Sequence, residues 1–403
     1  MGMKTITTHS TRYAAMMFVT VAFVLSAFPS FASAKDLEVS GWIPYWTSGA
    51  PKAAQKHIDD LYMIHPFGYA LQSTGDIKDL MDIKKSAWKN LLKKADKEDV
   101  LIVPTITTSN GSLVHTILSD SDLRKDHIKK ILAVVKKQKF DGIDIDYEGK
   151  LSMTKDYYSL FLKELKKGLG KKILSCTIEA RTPPEDLYRV VPADIAYAND
   201  YEAIAQYCDR VNIMAYDQQR ADITLNDANK GEPYIPVSDD AWVRKVLDFT
   251  LQTIPKNKVV LGIATYGHEY EVLVTPNQYT EYRRAGAYNL PGIEKKIAKY
   301  DIEPSRTKAG ELGFSYSDLM KHAPQFITNF SIPANTPESL KVAARSLAYS
   351  NATGNVAVFQ YVTWSDAQAM KDKIDLAKEF DLRGVALFKI DGQEDQDVWE
   401  EFE

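Results

Sequence analysis

The chain has 403 residues, of which 45% are hydrophobic and 26% are charged. Its 50 basic and 54 acidic residues give a formal net charge of −4 at pH 7. This composition excludes low-complexity disorder, collagen, a coiled coil and a polycationic nucleic-acid binder, so we expect no nucleic-acid partner. A chain of this length can bury a large core.

The first 34 residues differ from the rest and predict a secretory signal peptide. Lys4 and Arg12 precede an uncharged apolar run at residues 14–28, and Ala32-Ser33-Ala34 forms a small-residue cleavage motif before Lys35. The alternative is an uncleaved anchor, which needs roughly 20 continuous apolar residues, more than this run provides. We therefore expect a secreted protein that is extracellular, periplasmic or in the cell wall, with no membrane association after cleavage.

The sequence contains two cysteines, Cys176 and Cys208. A disulfide suits a secreted protein, but two buried thiols fit the sequence equally well. Spacing along the chain does not tell whether the two Cα atoms lie within bonding distance, so both alternatives stay open.

Short apolar segments alternate with amphipathic segments along most of the chain, which predicts repeated βα units around a parallel sheet. The helical segments have lysine-rich faces that we assign to solvent, and they cover residues 86–97, 121–139, 154–169, 239–253 and 366–380. Eight strands alternating with helices indicate a (β/α)8 TIM barrel spanning residues 35–403. The predicted strands are 39–45, 61–65, 100–106, 142–147, 172–178, 210–216, 259–266 and 384–390.

The βα alternation stops after the seventh predicted strand. Between residues 268 and 357, Tyr, Arg, Gly and Pro divide the chain into short segments with no clear βα unit. The segment is too rich in aromatic residues for a disordered loop. We therefore predict a small α+β insertion subdomain at 268–357.

The fourth predicted strand contains acidic residues at every second position near its end. Side chains on a strand alternate between its two faces, so Asp144, Asp146 and Glu148 share one face while the intervening apolar residues face the helices. These three residues, called the carboxyl ladder below, are predicted to point into the barrel towards its carboxyl end. A solvated acidic strand or a cation site is the structural alternative, but buried carboxylates are costly unless they are used or paired.

The spacing of the carboxyl ladder predicts a division of roles. Same-face residues are about 7 Å apart, close enough for repulsion between like charges to raise the pKa of at least one carboxyl. Glu148 lies nearest the mouth of the barrel and has the longest side chain, so we assign it as the general acid. Asp146 is then its electrostatic partner, and Asp144 supports it from below.

Residues 141–148 (DGIDIDYE) match the DGxDxDxE signature of glycoside hydrolase family 18, the chitinase family, which the sequence resembles over nearly its whole predicted mature length. Further segments occur in the order typical of that family. They are residues 41–46 (GWIPYW), 66–69 (PFGY), 212–217 (NIMAYD), 261–267 (LGIATYG), and 364–366 followed by 384–388.

The resemblance implies a retaining mechanism in which the 2-acetamido group of the substrate attacks the anomeric carbon. By this analogy Glu148 protonates the glycosidic oxygen and later activates water, Asp146 stabilises the acetamido group, and Asp144 pairs with Asp146. Tyr216 would donate a hydrogen bond to the acetamido carbonyl. Asp141 would be a structural residue at the start of the strand.

The resemblance also implies a set of substrate-binding residues. Met214 and Asp217 would line the −1 sugar site, Phe388 would form its floor, and Tyr45 and Phe67 would contact substrate from the first two strands. The implied partner is a polysaccharide or oligosaccharide that contains N-acetylglucosamine, such as chitin or peptidoglycan.

Two positions depart from the family pattern. Phe388 occupies the strand-eight position where the family usually has Trp, and residues 107–111 read TTSNG where chitinases tend to have SxGG. A phenyl ring still stacks on a sugar, with less area than an indole. Residues 66–69 and 361–366 resemble the branch associated with bacterial cell-wall and spore-cortex hydrolysis.

Glu179 and Arg181 follow the fifth predicted strand and are expected at the rim of the barrel. Arg181 either contacts substrate or pairs with Glu179, and the sequence favours neither alternative.

Three functions fit the sequence. The first is a secreted glycosidase acting on chitin-like or peptidoglycan chains. The second is a chitinase-like lectin, which we disfavour because such relatives are expected to lose the acid that Glu148 provides here. The third is an endoglycosidase of protein N-glycans, which shares the catalytic residues. Without an HExxH, GxSxG or P-loop motif, we expect neither a metal nor another cofactor.

Overall fold

Parallel strands form a closed barrel in the structure, which is a computed structural model. It describes residues 1–2, 37–318 and 329–402, so the predicted signal peptide lies almost wholly outside the described residues. The described strands are β1 (Glu38–Pro44), β2 (Met63–Leu71), β3 (Ile77–Asp79), β4 (Leu101–Ile102), β5 (Thr105–Thr108), β6 (Gly142–Tyr147), β7 (Ile173–Glu179), β8 (Arg210–Met214), β9 (Val259–Ala264), β10 (Gly267–Thr275), β11 (Gln278–Tyr288), β12 (Ser305–Arg306), β13 (Leu312–Tyr316), β14 (Ala357–Trp364) and β15 (Gly384–Phe388).

The barrel follows the order of the chain. Strand β2 pairs in parallel with β5, and β6, β7, β8, β9 and β15 follow in that order, each pairing in parallel with the strand before it. Strand β1 closes the ring by pairing in parallel with both β15 and β2. The third position of the barrel is divided into β4 and β5, which flank Pro104, a residue without a backbone N–H to donate. The predicted (β/α)8 barrel is confirmed.

Amphipathic helices cover the outside of the barrel strands. In the helix at Lys155–Leu169, for example, Tyr158, Phe161 and Leu165 recur at helical spacing and are buried. No helix among the described residues is long and apolar enough to cross a membrane. The described α-helices are α1 (Ala50–Ala54), α2 (Ser86–Lys97), α3 (Gly111–Ser119), α4 (Ser121–Gln138), α5 (Lys155–Leu169), α6 (Pro184–Leu187), α7 (Tyr201–Tyr207), α8 (Ile223–Ala228), α9 (Asp240–Thr250), α10 (Leu290–Tyr300), α11 (Lys341–Thr353) and α12 (Ala367–Glu379).

A second, antiparallel sheet lies between β9 and β15 in the chain. Its strand order is β11-β10-β14-β13-β12, and helices α10 and α11 belong to the same segment. Strand β14 pairs along its whole length with β10, so the sheet extends to Trp364, beyond the boundary predicted at residue 357. The sequence pattern missed this because both faces of β14 are largely buried, and a strand without regular alternation gives no clear boundary.

The interior of the barrel is polar near its centre and aromatic near its carboxyl end. Thr105, Ser175 and Asn212 are buried around Asp144, which is fully buried on β6. The outward face of β6 packs against the helices. There the hydroxyl of Tyr147 and Nε2 of His127 on α4 form a hydrogen bond of 2.6 Å. Alternation along one strand thus separates the polar interior from the apolar layer under the helices.

The two cysteines form a disulfide. Cys176 on β7 and Cys208 at the end of α7 have Cα atoms 6.1 Å apart, within the usual range for a bonded pair. The structure therefore decides between the two alternatives that spacing left open.

Gly111 lies where two segments near the mouth of the barrel approach each other closely. A Cβ at Gly111 would lie 1.9 Å from the carbonyl oxygen of Gly149, the residue that follows Glu148. We expect Gly111→Ala to lower the free energy of unfolding by about 1–3 kcal/mol, because the backbone must shift to make room. Urea denaturation measures the change.

Gly49→Ala is the matched control, because a Cβ there meets no atom within 4 Å. Equal unfolding midpoints for the Gly111→Ala and Gly49→Ala proteins would show that the close approach is not a constraint.

Candidate active site

Asp144 forms the base of the carboxyl ladder and is held by neutral donors. Its Oδ2 accepts hydrogen bonds from Thr105 Oγ1 at 2.8 Å and from Trp42 Nε1 at 3.3 Å. Its Oδ1 accepts from Thr177 Oγ1 at 2.9 Å and from Asn212 Nδ2 at 3.4 Å. Donors from four different strands therefore fix this carboxyl, as expected for a buried group that must be satisfied.

Asp146 lies one layer nearer the mouth of the barrel, and only one of its two carboxyl oxygens has a hydrogen-bond partner among the described residues. Oδ2 accepts a hydrogen bond from Thr107 Oγ1 at 3.0 Å, whereas Oδ1 is buried and has no donor among the described residues. Burial raises the pKa of Asp146 well above its usual value, and the negative charges of Glu148 and Asp144 raise it further. Asp146 therefore has a buried acceptor free for a substrate donor.

Glu148 lies at the open end of the ladder and is half-buried. Its backbone N–H donates to Thr108 O at 2.8 Å, which continues the pairing of β6 with β5. Burial raises the pKa of Glu148, the charges of Glu179 and Asp217 add to the increase, and Lys150 opposes it. A glutamate that holds its proton above the usual pH range is suited to act as a general acid.

The sequence predicted raised pKa values from repulsion within the ladder. In the structure, burial is the larger cause for both Asp146 and Glu148, and repulsion is the smaller one. Strand periodicity shows that the carboxyls are near one another but does not show how deeply the barrel encloses them.

Tyr216 and Phe388 stack on one another beside the ladder. Their ring centroids are 5.6 Å apart and the rings are nearly parallel, at 12°. The edge of Trp42 also contacts Phe388, with 5.8 Å between centroids. At the position where the family usually has Trp, Phe388 therefore forms an aromatic floor with its two neighbours.

The predicted contacts on the first two strands lie at the edge of this floor. Phe67 is half-buried, with its centroid 6.1 Å from that of Phe388. Tyr45 is exposed and packs against Trp46, which in turn contacts Phe67 at 5.5 Å. Trp46 was not assigned a role from the sequence, although it ends the family-like segment 41–46.

Asp217 is held by a chain of polar residues that comes partly from the second sheet. Its Oδ1 accepts from Tyr266 Oη at 3.0 Å and from His268 Nε2 at 2.6 Å. Arg284 donates to His268 Nδ1 at 3.1 Å, which assigns the proton of a neutral imidazole to Nε2. Burial alone would raise the pKa of Asp217, but the hydrogen bonds from His268 and Tyr266 hold it below its usual value.

A cavity of about 370 Å³ lies between the polar residues that hold Asp217 and the aromatic floor. Its polar lining includes Asp217, Arg284 and Lys389, and Trp46 and Phe388 supply aromatic surface. The sequence did not identify His268 and Arg284 as site residues, because no local pattern shows where the inserted sheet packs against the barrel. The one available signal was that His268 directly follows the segment 261–267.

The remaining predicted residues are Asp141, Met214 and Arg181. Asp141 precedes β6, and its carboxylate accepts the backbone N–H of Ile102 at 2.8 Å. Met214 ends β8 and is half-buried, opposite Glu179 in the register. The guanidinium of Arg181 lies over the ring of Tyr197 at 3.7 Å, while the cation facing Glu179 is that of Lys150.

The described residues include no group of three or more His, Cys, Asp or Glu side chains arranged to hold a metal ion. The described side chains at this site offer proton transfer by carboxyls, together with stacking on aromatic rings. Carboxyls at the carboxyl end of a barrel, beside an aromatic floor, are the arrangement of a glycosidase.

Comparison with known proteins supports this class. Residues 41–393 match the model of the glycosyl hydrolases family 18. The chain is 23% identical over 296 residues to "Uncharacterized glycosylase YvbX" of Bacillus subtilis (strain 168), an alignment that covers 72% of this chain and 68% of that protein. The protein is a glycosidase, and it belongs to glycosyl hydrolase family 18.

Solved structures share the fold. The spore cortex-lytic enzyme SleL of Bacillus cereus matches with a TM-score of 0.65 and 20% identity, over 91% of this chain and 73% of that one. A mutant class V chitinase from Cycas revoluta, in complex with (GlcNAc)3, matches with a TM-score of 0.64 and 14% identity, over 91% of this chain and 98% of that one.

The raised pKa of Glu148 predicts how activity depends on pH. Burial and nearby carboxylates disfavour the ionised form of Glu148, so its pKa lies above the ordinary glutamate value of about 4.3. The protonated form is the active one, and activity falls as the pH rises through this raised pKa. The basic limb of kcat/KM against pH, measured on chito-oligosaccharides, should therefore lie above that value.

Circular dichroism at each pH checks that the protein remains folded. A basic limb centred at or below about 4.3 would contradict the assignment of Glu148 as a buried acid.

Proposed function

We propose that this protein hydrolyses β-1,4 bonds next to N-acetylglucosamine residues by a retaining, substrate-assisted mechanism. The observation that carries the proposal is the pair formed by Asp146, whose buried Oδ1 has no partner among the described residues, and the half-buried acid Glu148 one layer above it. A free buried acceptor beside an acid fits a substrate that brings its own N–H donor, as a 2-acetamido group does.

The proposed reaction has two steps. First, Glu148 gives its proton to the glycosidic oxygen as the bond from that oxygen to C1 breaks, and the acetamido carbonyl oxygen forms a bond to C1. The leaving sugar departs as an alcohol, and the resulting oxazolinium ion is positive. Asp146 accepts the hydrogen bond from its N–H and stabilises that charge, while Tyr216 orients the acetamido carbonyl.

In the second step water replaces the acetamido oxygen at C1. Glu148, now a carboxylate, takes a proton from the water as the new C1–O bond forms and the oxazolinium ring opens. C1 is inverted twice, so the product keeps the β configuration. No carboxylate of the protein needs to reach C1, in agreement with the role that we propose for Asp146.

The sugar-binding surface supports a polymeric substrate. The Tyr216 and Phe388 rings provide a flat floor for one sugar, and Trp46 offers exposed aromatic surface farther along the cleft. Asp217, fixed by His268, provides a carboxylate acceptor for sugar hydroxyls in the adjoining cavity. Aromatic rings with a few placed polar groups are typical of sites that bind sugars.

Peptidoglycan is the natural substrate that we propose. The similarity in fold to a spore cortex-lytic enzyme supports it, and the chitinase bound to (GlcNAc)3 supports the sugar that lies on one side of the bond. We further propose that the protein acts outside the cytoplasm after its signal peptide is removed. The disulfide between Cys176 and Cys208 supports an oxidising compartment.

Replacing the acid tests the function directly. We expect Glu148→Gln to lower turnover by at least roughly 10²-fold, because the amide cannot donate the required proton, while sugar binding is retained. Mass spectrometry of the products detects cleavage of chito-oligosaccharides, purified peptidoglycan and cellulose oligomers, which lack the acetamido group. Only the first two should be cut.

The matched control is Glu202→Gln, which removes an exposed glutamate on α7 and should leave turnover unchanged. Wild-type turnover in Glu148→Gln would sink the assignment of the acid. Efficient cleavage of cellulose oligomers would point to an enzyme nucleophile, and cleavage of chito-oligosaccharides alone would replace peptidoglycan by chitin.

A further inference from the structure

Glu179 is the last residue of β7 and lies next to the turn that follows the general acid. On the same face of β7, Thr177 donates to Asp144, so Glu179 is the inward-facing residue one layer nearer the mouth. Its carboxylate accepts the backbone N–H of Gly149 at 3.1 Å and the side-chain N–H of Asn199 at 2.7 Å. Glu179 therefore connects β7 to the residue directly after Glu148.

The turn at Gly149 depends on outside contacts to hold its shape. Gly149 has a φ of +60°, a left-handed conformation, and its carbonyl lies against Gly111. The backbone N–H of Glu148, just before the turn, donates to Thr108 O on β5. The backbone N–H of Gly149 donates to the carboxylate of Glu179 on β7. The end of β6 is thus fixed from both neighbouring strands.

Lys150 is the second partner of Glu179. Its side chain is only 1% exposed and its ammonium lies 3.7 Å from the Glu179 carboxylate. The ammonium also donates to the carbonyl of Tyr147 and lies over the ring of Tyr158. A buried ammonium is costly unless a negative charge faces it, and Glu179 provides that charge.

We propose that Glu179 is a positioning residue for the general acid: it fixes the Gly149 turn, neutralises Lys150, and places a negative charge beside Glu148. This inference rests on the proposed function, since it gives Glu179 a part in the same reaction. Glu179 itself need not touch the bond that breaks.

The charges around Glu148 come from three elements and their loops. Asp146 lies below it on β6, Lys150 follows it in the chain, Glu179 faces it from β7, and the segment after β8 contributes Asp217. Tyr216, from the same segment, is titratable, but burial raises its pKa far above the working range and it stays neutral.

Glu179 and Glu148 are shifted in opposite directions. Burial would raise the pKa of Glu179, but Lys150 and the hydrogen bonds from Asn199 and Gly149 hold it below the usual value. The pKa of Glu148 is raised by burial and then by Glu179. Of the two neighbouring glutamates, one is therefore shifted towards the ionised form and the other towards the protonated form, the arrangement that acid catalysis requires.

Glu179→Gln tests the proposal because it removes the charge and keeps an oxygen that can accept from Gly149. Without this charge, and with Lys150 left uncompensated, Glu148 should ionise at lower pH. We expect kcat/KM to fall about threefold or more on the basic side of the profile and to change little on the acidic side. Lys150→Met should shift the basic limb to higher pH.

Two further variants separate charge from structure. Glu185→Gln removes an exposed glutamate and should leave the profile unchanged. Asn199→Ala removes a hydrogen bond to Glu179 but no charge, so it should shift the basic limb less than Glu179→Gln does. This variant still tests the contribution of charge if Lys150→Met does not fold. An unshifted limb in Glu179→Gln, with or without a uniform loss of rate, would overturn the proposal.

A second readout does not depend on hydrolysis. NMR titration of ¹³C-carboxyl-labelled glutamates, with the Glu148 signal assigned from its absence in Glu148→Gln, follows the acid itself. If the wild-type protein hydrolyses none of the glycans, the proposed function fails. The Glu179 proposal still stands if its removal shifts the Glu148 titration to lower pH, and it fails if that titration does not move.

Discussion

The enclosure of three carboxyls in the barrel is the constraint on which the rest of the site depends. Burial makes an ionised carboxyl unfavourable, and each neighbour in the ladder adds to the cost. The surroundings that offset this free-energy cost differ for each of the three carboxyls. Asp144 is surrounded by neutral donors, Asp146 keeps one acceptor unpaired, and Glu148 lies half-open to solvent beside Glu179. This gradient of solvation along one strand gives the three carboxyls different surroundings.

The two flanks of the ladder have different tasks. On one side, Tyr216 and Phe388 form an aromatic floor, and the second sheet supplies His268 to hold Asp217. On the other side, Glu179 is placed against the turn that follows the acid. In our proposal the first flank binds a sugar, and the second sets the position and charge of the group that protonates the glycosidic oxygen. The family fold provides the barrel, and the loops and insertion adapt it to a substrate.

Much of this organisation could be predicted from the sequence, for a physical reason. Strand periodicity is local, so the alternation from Asp144 to Glu148 was enough to predict which carboxyls share a face, and repeated βα units predicted the barrel. The contacts missed join segments far apart in the chain. Arg284 reaches His268 across the second sheet, and the disulfide links β7 to the end of α7. The larger effect of burial on the ladder also depends on packing that no local pattern describes.

The proposed mechanism requires two displacements at C1, so water does not displace the leaving group directly. The configuration of the first product tests this most directly. Early-time ¹H NMR of chito-oligosaccharide hydrolysis by the wild-type protein shows the new reducing end before it mutarotates. We expect the β anomer first, because C1 is inverted twice. Initial release of the α anomer would contradict it, since a single displacement by water would then have replaced the two-step reaction.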